Sequence, residues 1–264
     1  MKNCSSLEIR SAAYGTLHGG GEMDLMGAEA RREFLAIMAK APRAGFSKTR
    51  LIPALGPEGA AQVAAAMLTD TIALCRKMAE SRPSTTVEIC FAPDDGEDEM
   101  RAIAPDIRAF RPQRGSSLGQ RLTAAIDDLF AAGADAVVII GADSPTLPVA
   151  VIAEAFDRLE RGADVVIGPT RDGGYYLIGL RNPTTALFVA VPWSTSRVLA
   201  ATLERAAAKG LSVELLPRWY DIDEPSDLEH FTSLDASGCD NAPATRSALA
   251  RLLGEPTDRN EIGA

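Results

Sequence analysis

Short apolar runs alternate along the chain with longer amphipathic segments. This order is typical of strands that helical crossovers join into a largely parallel sheet. The apolar runs predict strands at 34–39, 86–92, 107–110, 136–142, 163–169, 175–180 and 211–217. The segments between them predict helices at 57–80, 96–103, 117–132, 148–161, 196–209 and 225–233. The pattern therefore predicts an α/β protein whose folded domain spans residues 32–234.

The two ends of the chain lack this alternation. Residues 1–31 contain the glycine-rich segment HGGGEMDLMG and no apolar stretch of the signal-peptide type, so we interpret them as a flexible extension. Residues 235–264 are polar and rich in turn formers, apart from a possible short helix over 247–253, and we interpret them as a tail.

Three prolines stand where predicted helices should begin: Pro57, Pro148 and Pro225. Proline is tolerated in a first helical turn because the N–H that it lacks would have no partner there. Thr146 is well placed to cap the helix that begins near Pro148.

Charge and cysteine content narrow the classes of function. A net charge of -9 argues against general binding of nucleic acid, which needs an extended basic face. No uninterrupted apolar run approaches the length of a membrane span, so we expect no membrane partner. The four cysteines are far apart, which indicates reduced thiols in a cytoplasmic protein and neither a zinc site nor a disulfide framework. The oligomeric state is left open.

A basic segment, KAPRAGFSKTRL, follows the first predicted strand and carries Lys40, Arg43, Lys48 and Arg50. No acidic residue lies between positions 34 and 57 to neutralise these cations. The segment is neither a Walker A loop nor a GxGxxG turn. It could hold a di- or triphosphate through charge-assisted hydrogen bonds, and a solvated surface loop is an equally good interpretation.

Acidic residues follow later strands, at the edge where open parallel sheets bind ligands. Asp143 ends the apolar run AVVIIGA and is a candidate ligand of Mg²⁺, which prefers carboxylate and phosphate oxygens. In the segment DIDEPSDL, helix-dipole effects explain Asp227, whereas Asp221 or Asp223 could supply a second carboxylate.

The segment RDGGYYLIGL has two interpretations. Asp-Gly-Gly before an aromatic strand is a common hairpin signal. The tyrosines, together with Trp193 in VPWSTS, could also form a wall for a sugar-like or other small acceptor. The sequence offers no histidine that suits acid–base catalysis and no GxSxG nucleophile.

Six segments follow one another in an order that resembles a known family: the basic segment, SLGQRL, IIGADSPTLP, GPTRDGGYYLIGL, PWSTS and DIDEPSDL. This family is that of the small bacterial glycosyltransferase-like proteins of the nucleotide-diphospho-sugar transferase superfamily. The resemblance covers residues 32–234. Some members are assigned to arsenosugar biosynthesis. The family is similar in layout to 2-phospho-lactate guanylyltransferase and to molybdenum-cofactor nucleotidyltransferases.

The resemblance implies a GT-A fold, which is a three-layer α/β/α sandwich with a mostly parallel sheet. It implies that Asp143 and Lys48 are catalytic, and that Asp143 and Asp223 hold Mg²⁺ or Mn²⁺, although the usual Asp-x-Asp is here Asp-Ser-Pro. The nucleotide-binding residues that it implies are Lys40, Arg43, Gly45, Lys48, Arg50, Gly115, Leu118, Gly119 and Arg121. The acceptor-binding residues that it implies are Asp172, Gly173, Gly174, Tyr175 and Trp193.

The implied function is a metal-dependent transferase whose partners are a nucleotide or nucleotide-sugar and a small-molecule acceptor. Glycosyl transfer is the first interpretation, because DGGYYLIGL looks more like the glycosyltransferase-type sequences. Transfer of a nucleotidyl group from a nucleoside triphosphate, with release of pyrophosphate, is the second. A nucleotide-binding protein without catalysis is the third.

Overall fold

The computed structural model describes residues 31–233 and 242–254. Its seven strands are β1 (Glu33–Lys40), β2 (Thr85–Ala92), β3 (Ala109–Pro112), β4 (Ala136–Gly141), β5 (Val165–Pro169), β6 (Tyr175–Leu180) and β7 (Val213–Leu215). The α-helices are α1 (Ile52–Ser81), α2 (Glu97–Ile103), α3 (Leu118–Ala131), α4 (Val149–Glu160), α5 (Val198–Ala208), α6 (Pro225–Ser233) and α7 (Pro243–Leu253). Short 3₁₀ turns cover Thr49–Leu51 and Thr185–Phe188.

The strands form one mixed sheet in the order β3-β2-β1-β4-β6-β5-β7. Strand β6 runs antiparallel to both of its neighbours, and every other pairing is parallel. The chain order reverses between β1 and β4, which is where open α/β sheets open a crevice beyond their carboxyl ends. The topology therefore places a candidate site beyond β1 and β4.

Helices cover both faces of the sheet, which confirms the predicted three-layer α/β/α sandwich. One core cluster joins β1, β2 and β4 to α1 and α4 through side chains such as Leu68, Ile72 and Phe156. A second cluster lies on the other face and includes Ile126 and Leu129 of α3. The near-continuous apolar runs of the central strands reflect this burial on both faces.

The predicted element boundaries differ most at α1, β3 and β7, and β7 covers only Val213–Leu215 of the predicted 211–217. Strand β3 begins at Ala109, because the N–H of Ile107 still bonds the carbonyl of Ala104 in the turn after α2. Gly56 has φ 71° and interrupts α1, so that Pro57 starts the longer helical part as predicted. The N-cap position of α4 is taken by Pro148, and the hydroxyl of Thr146 accepts from the indole N–H of Trp219 at 3.1 Å.

Helix α1 is long and apolar enough to cross a membrane by length and composition alone. In the fold its buried side chains, among them Met67, Leu68, Ile72 and Met78, pack against the sheet and neighbouring helices. These contacts are those of a core helix.

Helix α7 lies beyond the expected domain boundary at residue 234 and begins at Pro243, four residues before the short helix that the sequence suggested. It packs against α1, with Leu249 and Ala248 buried. The predicted extension over residues 1–31 lies outside the described residues except for Arg31.

Candidate active site

A cavity of about 840 Å³ opens beyond the carboxyl ends of β1 and β4. Pockets that hold small ligands and cofactors commonly enclose about 300–1,000 Å³. The predicted site residues that line it are Lys40, Lys48, Arg50, Leu118, Arg121, Asp143, Asp172, Gly174, Tyr175, Trp193 and Asp223. The fold thus brings most of the sequence-predicted residues to one crevice.

Lys48 lies at the centre of this arrangement. Its side chain is only 8% exposed, and its Nζ lies 2.5 Å from Asp143 Oδ1 and 2.7 Å from Asp223 Oδ1. The same Nζ donates to the carbonyl of Ile222 at 2.7 Å, so that the ammonium has three oxygen neighbours. Burial by itself lowers the pKa of Lys48, but the two carboxylates outweigh it and raise the pKa above its ordinary value. Lys48 is therefore a fixed cation at neutral pH.

The backbone of Lys48 is in the left-handed region, with φ 48° and ψ 41°. Non-glycine residues adopt this conformation infrequently, and surrounding contacts must hold them there. Here the bonds to Asp143, Asp223 and Ile222 do so. The conformation turns the side chain into the crevice.

Asp221 takes a different position from Asp223. The hydroxyl of Ser144 donates to Asp221 Oδ1, whereas Asp223 shares the Lys48 ammonium with Asp143. Burial raises the pKa of Asp221 to about 7, against the opposing hydrogen bond from Ser144. Both carboxylates line the cavity, and Asp223 is the one that shares the Lys48 ammonium with Asp143.

The other cations of the basic segment have partners that the sequence did not indicate. Arg43 donates to Asp95 at 2.8 Å and to Glu99 at 2.6 Å, and it does not line the cavity. Its guanidinium ties the segment to residues 95–99, so its placement disfavours the predicted phosphate contact. Arg50 lies at the cavity, 3.6 Å from Glu224. Lys40 lies over the ring of Phe46.

Three residues of the segment 115–121 line the cavity, Ser116, Leu118 and Arg121, and its glycines serve close packing. Ser117 caps α3 by accepting from the N–H of Gln120, and Arg121 donates to the carbonyl of Gly115. Gly119 does not line the cavity: a Cβ there would lie 2.6 Å from Nε1 of Trp193. Gly115 and Gly45 also lie outside the lining.

The segment 170–174 is the turn of the β5–β6 hairpin, as the first interpretation of Asp-Gly-Gly predicted. Asp172 Oδ1 accepts from the hydroxyl of Thr170 and the N–H of Gly174, which fixes the turn. Gly173 has φ 92° and lies outside the cavity lining, and a Cβ there would lie 2.2 Å from the carbonyl oxygen of Ser196. The turn therefore packs directly on the segment after Trp193.

An aromatic corner borders the same side of the cavity. The rings of Tyr175 and Trp193 meet edge to face with centroids 6.3 Å apart, and Phe188 stacks on Trp193 at 6.4 Å. The two interpretations of RDGGYYLIGL are thus compatible: the turn shapes the hairpin, and the strand that follows presents Tyr175 to the cavity.

Sequence reasoning missed Gln113, which lines the cavity. Its Nε2 donates to the carbonyls of Ala39 and Cys90, at the carboxyl ends of β1 and β2. A glutamine at the end of a strand carries no distinctive sequence signal. The hydroxyl residues at 194–196 also line the cavity and were considered only as neighbours of Trp193.

The donor set fits a hard divalent ion only in part. No group of three or more metal-binding side chains occurs among residues 31–233 and 242–254. Asp143 and Asp223 converge, and Mg²⁺ is often bound by one or two carboxylates together with substrate phosphates. The ammonium of Lys48 lies between them, so an ion at this place would need phosphate oxygens and a displaced lysine.

Comparisons with known proteins agree with this architecture. The family model described as "Uncharacterized protein conserved in bacteria (DUF2064)" matches residues 74–195. The crystal structure of a candidate nucleotide-diphospho-sugar transferase from Desulfovibrio desulfuricans G20 aligns with a TM-score of 0.70 and 28% identity, over 84% of this chain and 97% of that one. The fold is that of nucleotide-diphospho-sugar transferases.

Two more distant structures share the fold. CMP:2-keto-3-deoxy-manno-octonic acid synthetase, complexed with CTP, aligns with a TM-score of 0.51 at 14% identity, over 78% of this chain and 99% of that one. The 4-diphosphocytidyl-2C-methyl-D-erythritol synthase of Anaerococcus prevotii DSM 20548 aligns with a TM-score of 0.51 at 12% identity, over 76% and 97%. No curated protein matches the sequence. These structures confirm that the fold resembles that of the superfamily. The assignment to an arsenosugar or guanylyltransferase subtype stays a prediction.

Proposed function

We propose that the protein is a metal-dependent transferase with a nucleotide donor, and that it moves a sugar from a nucleotide-diphospho-sugar to a small acceptor. The observation that carries this proposal is the buried ammonium of Lys48, which lies between Asp143 and Asp223 at the point where the strand order reverses. Sheets of this kind bind nucleotides in that crevice. The similarity to the candidate nucleotide-diphospho-sugar transferase supports the donor class.

The basic side chains of the crevice would bind the donor diphosphate. Lys48, Lys40 and Arg50 line the cavity on the β1 side. Their charge would stabilise the negative charge that gathers on the diphosphate as the sugar leaves. Mg²⁺ or Mn²⁺ held by Asp143 and Asp223 would supply further charge neutralisation there.

The acceptor would bind on the opposite side of the cavity, against Tyr175 and Trp193. Both rings reach the cavity, and Asp172 also lines it. Aromatic rings with a few polar groups are a common lining for small-molecule sites. The reaction requires mainly that the acceptor oxygen be aligned with the donor carbon. The basic side chains would position the donor, and Tyr175 and Trp193 would position the acceptor.

Nucleotidyl transfer is the second candidate, because Arg121 adds a fourth cation to Lys40, Lys48 and Arg50 along the lining. Four cations offer donors to the three phosphates of a nucleoside triphosphate, and a bound Mg²⁺ would offset the carboxylates of Asp143, Asp172, Asp221 and Asp223 in the same lining. The two reactions differ in what leaves: a nucleoside diphosphate in glycosyl transfer, and pyrophosphate in nucleotidyl transfer.

A calorimetric titration panel distinguishes the candidates. UDP- and GDP-sugars, nucleoside diphosphates and nucleoside triphosphates are titrated with and without Mg²⁺ or Mn²⁺. Metal-dependent preference for a nucleotide-sugar supports glycosyl transfer, and preference for a triphosphate supports nucleotidyl transfer. Absence of binding throughout the panel would contradict both.

A further inference from the structure

Ile222 connects the candidate site to a hydrophobic cluster behind it. Its carbonyl accepts from Lys48 Nζ at 2.7 Å, and its N–H donates to the carbonyl of Asp143 at 2.9 Å. Its side chain points the other way and is fully buried. The position of Ile222 therefore sets the distance between Lys48 and the Asp143 backbone.

Leu51 makes the second connection. Its N–H donates to the carbonyl of Lys48 at 2.8 Å, in the 3₁₀ turn that follows the left-handed residue. Its side chain is also fully buried, in the same cluster as that of Ile222. Leu51 and Ile222 both bond to Lys48, and one hydrophobic cluster therefore positions both of them.

We name this group of side chains the C-terminal cluster. It consists of Leu51, Ala60, Val63, Met67, Ile222, Leu228, Phe231, Ala242 and Leu249. Leu249 belongs to α7, and Ala242 directly precedes that helix. Helix α7 therefore completes the packing on which Leu51 and Ile222 rest.

A buried carboxylate fixes α7 to α1. Asp70 of α1 is 2% exposed and accepts from the N–H groups of Ala244 and Thr245 at 3.0 and 2.8 Å. The hydroxyl of Thr245 donates to it at 2.7 Å. The first N–H groups of a helix have no partner within the helix, and the N-cap residue Ala242 supplies none, so Asp70 replaces the missing cap.

We propose that α7 is a positioning element of the candidate site, and that Leu249 and Asp70 act on Lys48 through Leu51 and Ile222. Only one part of this inference rests on the proposed function, namely the effect of α7 on phosphate binding. The contacts by which α7 orders residues 48–51 and 221–223 exist in the free protein.

Hydrogen exchange on the free full-length chain tests this inference directly. We expect Leu249→Ala and Asp70→Asn to speed the exchange of amides in 47–52 and 220–224, while the amides of β1, β2 and β4 keep their protection. Leu159→Ala is the matched control. Leu159 is also fully buried, but it lies at the end of α4, where it packs beside Gly179 and Val138 instead of in the C-terminal cluster.

A second measurement is the calorimetric affinity for inorganic pyrophosphate with Mg²⁺. Residues that couple to a site through packing typically change binding by roughly 2- to 30-fold, and we expect Leu249→Ala to weaken pyrophosphate binding within this range. We expect the control to differ from wild type by less than twofold. Asp70→Asn retains the shape of the carboxylate and keeps the test available where Leu249→Ala fails to fold.

The outcomes separate the two claims. Unchanged exchange in 47–52 and 220–224 in both variants would overturn the positioning role, as would an equal effect of Leu159→Ala. Wild-type protein that binds no pyrophosphate would count against the proposed phosphate site, and the exchange data would still decide the role of α7.

Discussion

Lys48 determines the electrostatics of the candidate site, because it is the buried cation that two carboxylates share. We predict that Lys48→Met weakens binding of the preferred nucleotide by roughly 10- to 100-fold, since a hydrogen bond to a charged group contributes about 1.5–3 kcal/mol. The measurement is calorimetric titration. Arg43→Met is the control from the same segment, and we expect it to keep the affinity nearly unchanged because Arg43 faces Asp95 and Glu99. Equal effects of the two substitutions would contradict the assignment.

Asp143 carries the second prediction at this scale. Asp143→Asn retains the size of the side chain and removes the charge that a metal ion would need. We expect the variant to unfold at nearly the wild-type temperature, because the side chain is 49% exposed, and to lose the part of nucleotide binding that depends on Mg²⁺. Metal-dependent binding that survives in Asp143→Asn would exclude this carboxylate as a ligand.

Residue identity alone predicted the cations and carboxylates of the site but not their pairing. The basic segment contains no acidic residue, yet Asp95, Glu99 and Glu224 reach Arg43 and Arg50 from distant parts of the chain. Contacts of this kind depend on the fold and leave no local signal. The left-handed backbone of Lys48 is likewise visible only in the structure.

Among the elements, the β5–β6 hairpin turn offers a sharp test of close packing. We predict that Gly173→Ala destabilises the protein clearly more than Gly45→Ala, as measured by urea denaturation. Both glycines have positive φ, so each substitution introduces backbone strain of the order of 1 kcal/mol. A Cβ at Gly173 would also clash with Ser196, whereas one at Gly45 meets nothing within 4 Å. Equal losses of stability would show that the turn does not depend on this approach.

Another element-level prediction concerns the amino-terminal end of β1, away from the candidate site. Arg82, at the end of α1, binds the buried carboxylate of Glu33 at 2.5 and 2.9 Å, and it also binds Asp157 and Glu160 of α4. Arg82→Met leaves Glu33 buried without its cation, and we expect the free energy of unfolding to fall by about 3–5 kcal/mol. Urea denaturation measures this loss.

The matched control is the double variant Arg82→Met with Glu33→Gln. We expect it to recover part of the stability, because the uncompensated charge is gone. A double variant that is less stable than Arg82→Met alone would contradict the explanation by buried charge.

Strands and helices were largely predictable because hydrophobic periodicity follows burial, as in the apolar runs of β1 and β4 on both faces of the sheet. Helix α7 was predicted only as a short possible helix. Its N-terminal cap, Asp70, lies 174 residues before Ala244, and such a cap has no sequence signature.

At the scale of the whole molecule, the strand order determines where the function lies. In the parallel half of the sheet, the basic segment follows β1 and Asp143 follows β4, and the antiparallel β6 contributes Tyr175 to the same cavity. The sequence predicted this end of the sheet, because the basic segment and Asp143 come directly after the apolar runs of β1 and β4. It did not predict which of them share a partner.

The central claim is that Lys48, Asp143 and Asp223 form the phosphate and metal site. The most direct measurement is a crystal structure of the complex with Mn²⁺ and the nucleotide or nucleotide-sugar that binds best in the titration panel. We predict phosphate oxygens within hydrogen-bond distance of Lys48 Nζ, and anomalous density for Mn²⁺ between Asp143 and Asp223. A nucleotide bound elsewhere, with the Lys48 ammonium still held by both carboxylates, would contradict the account.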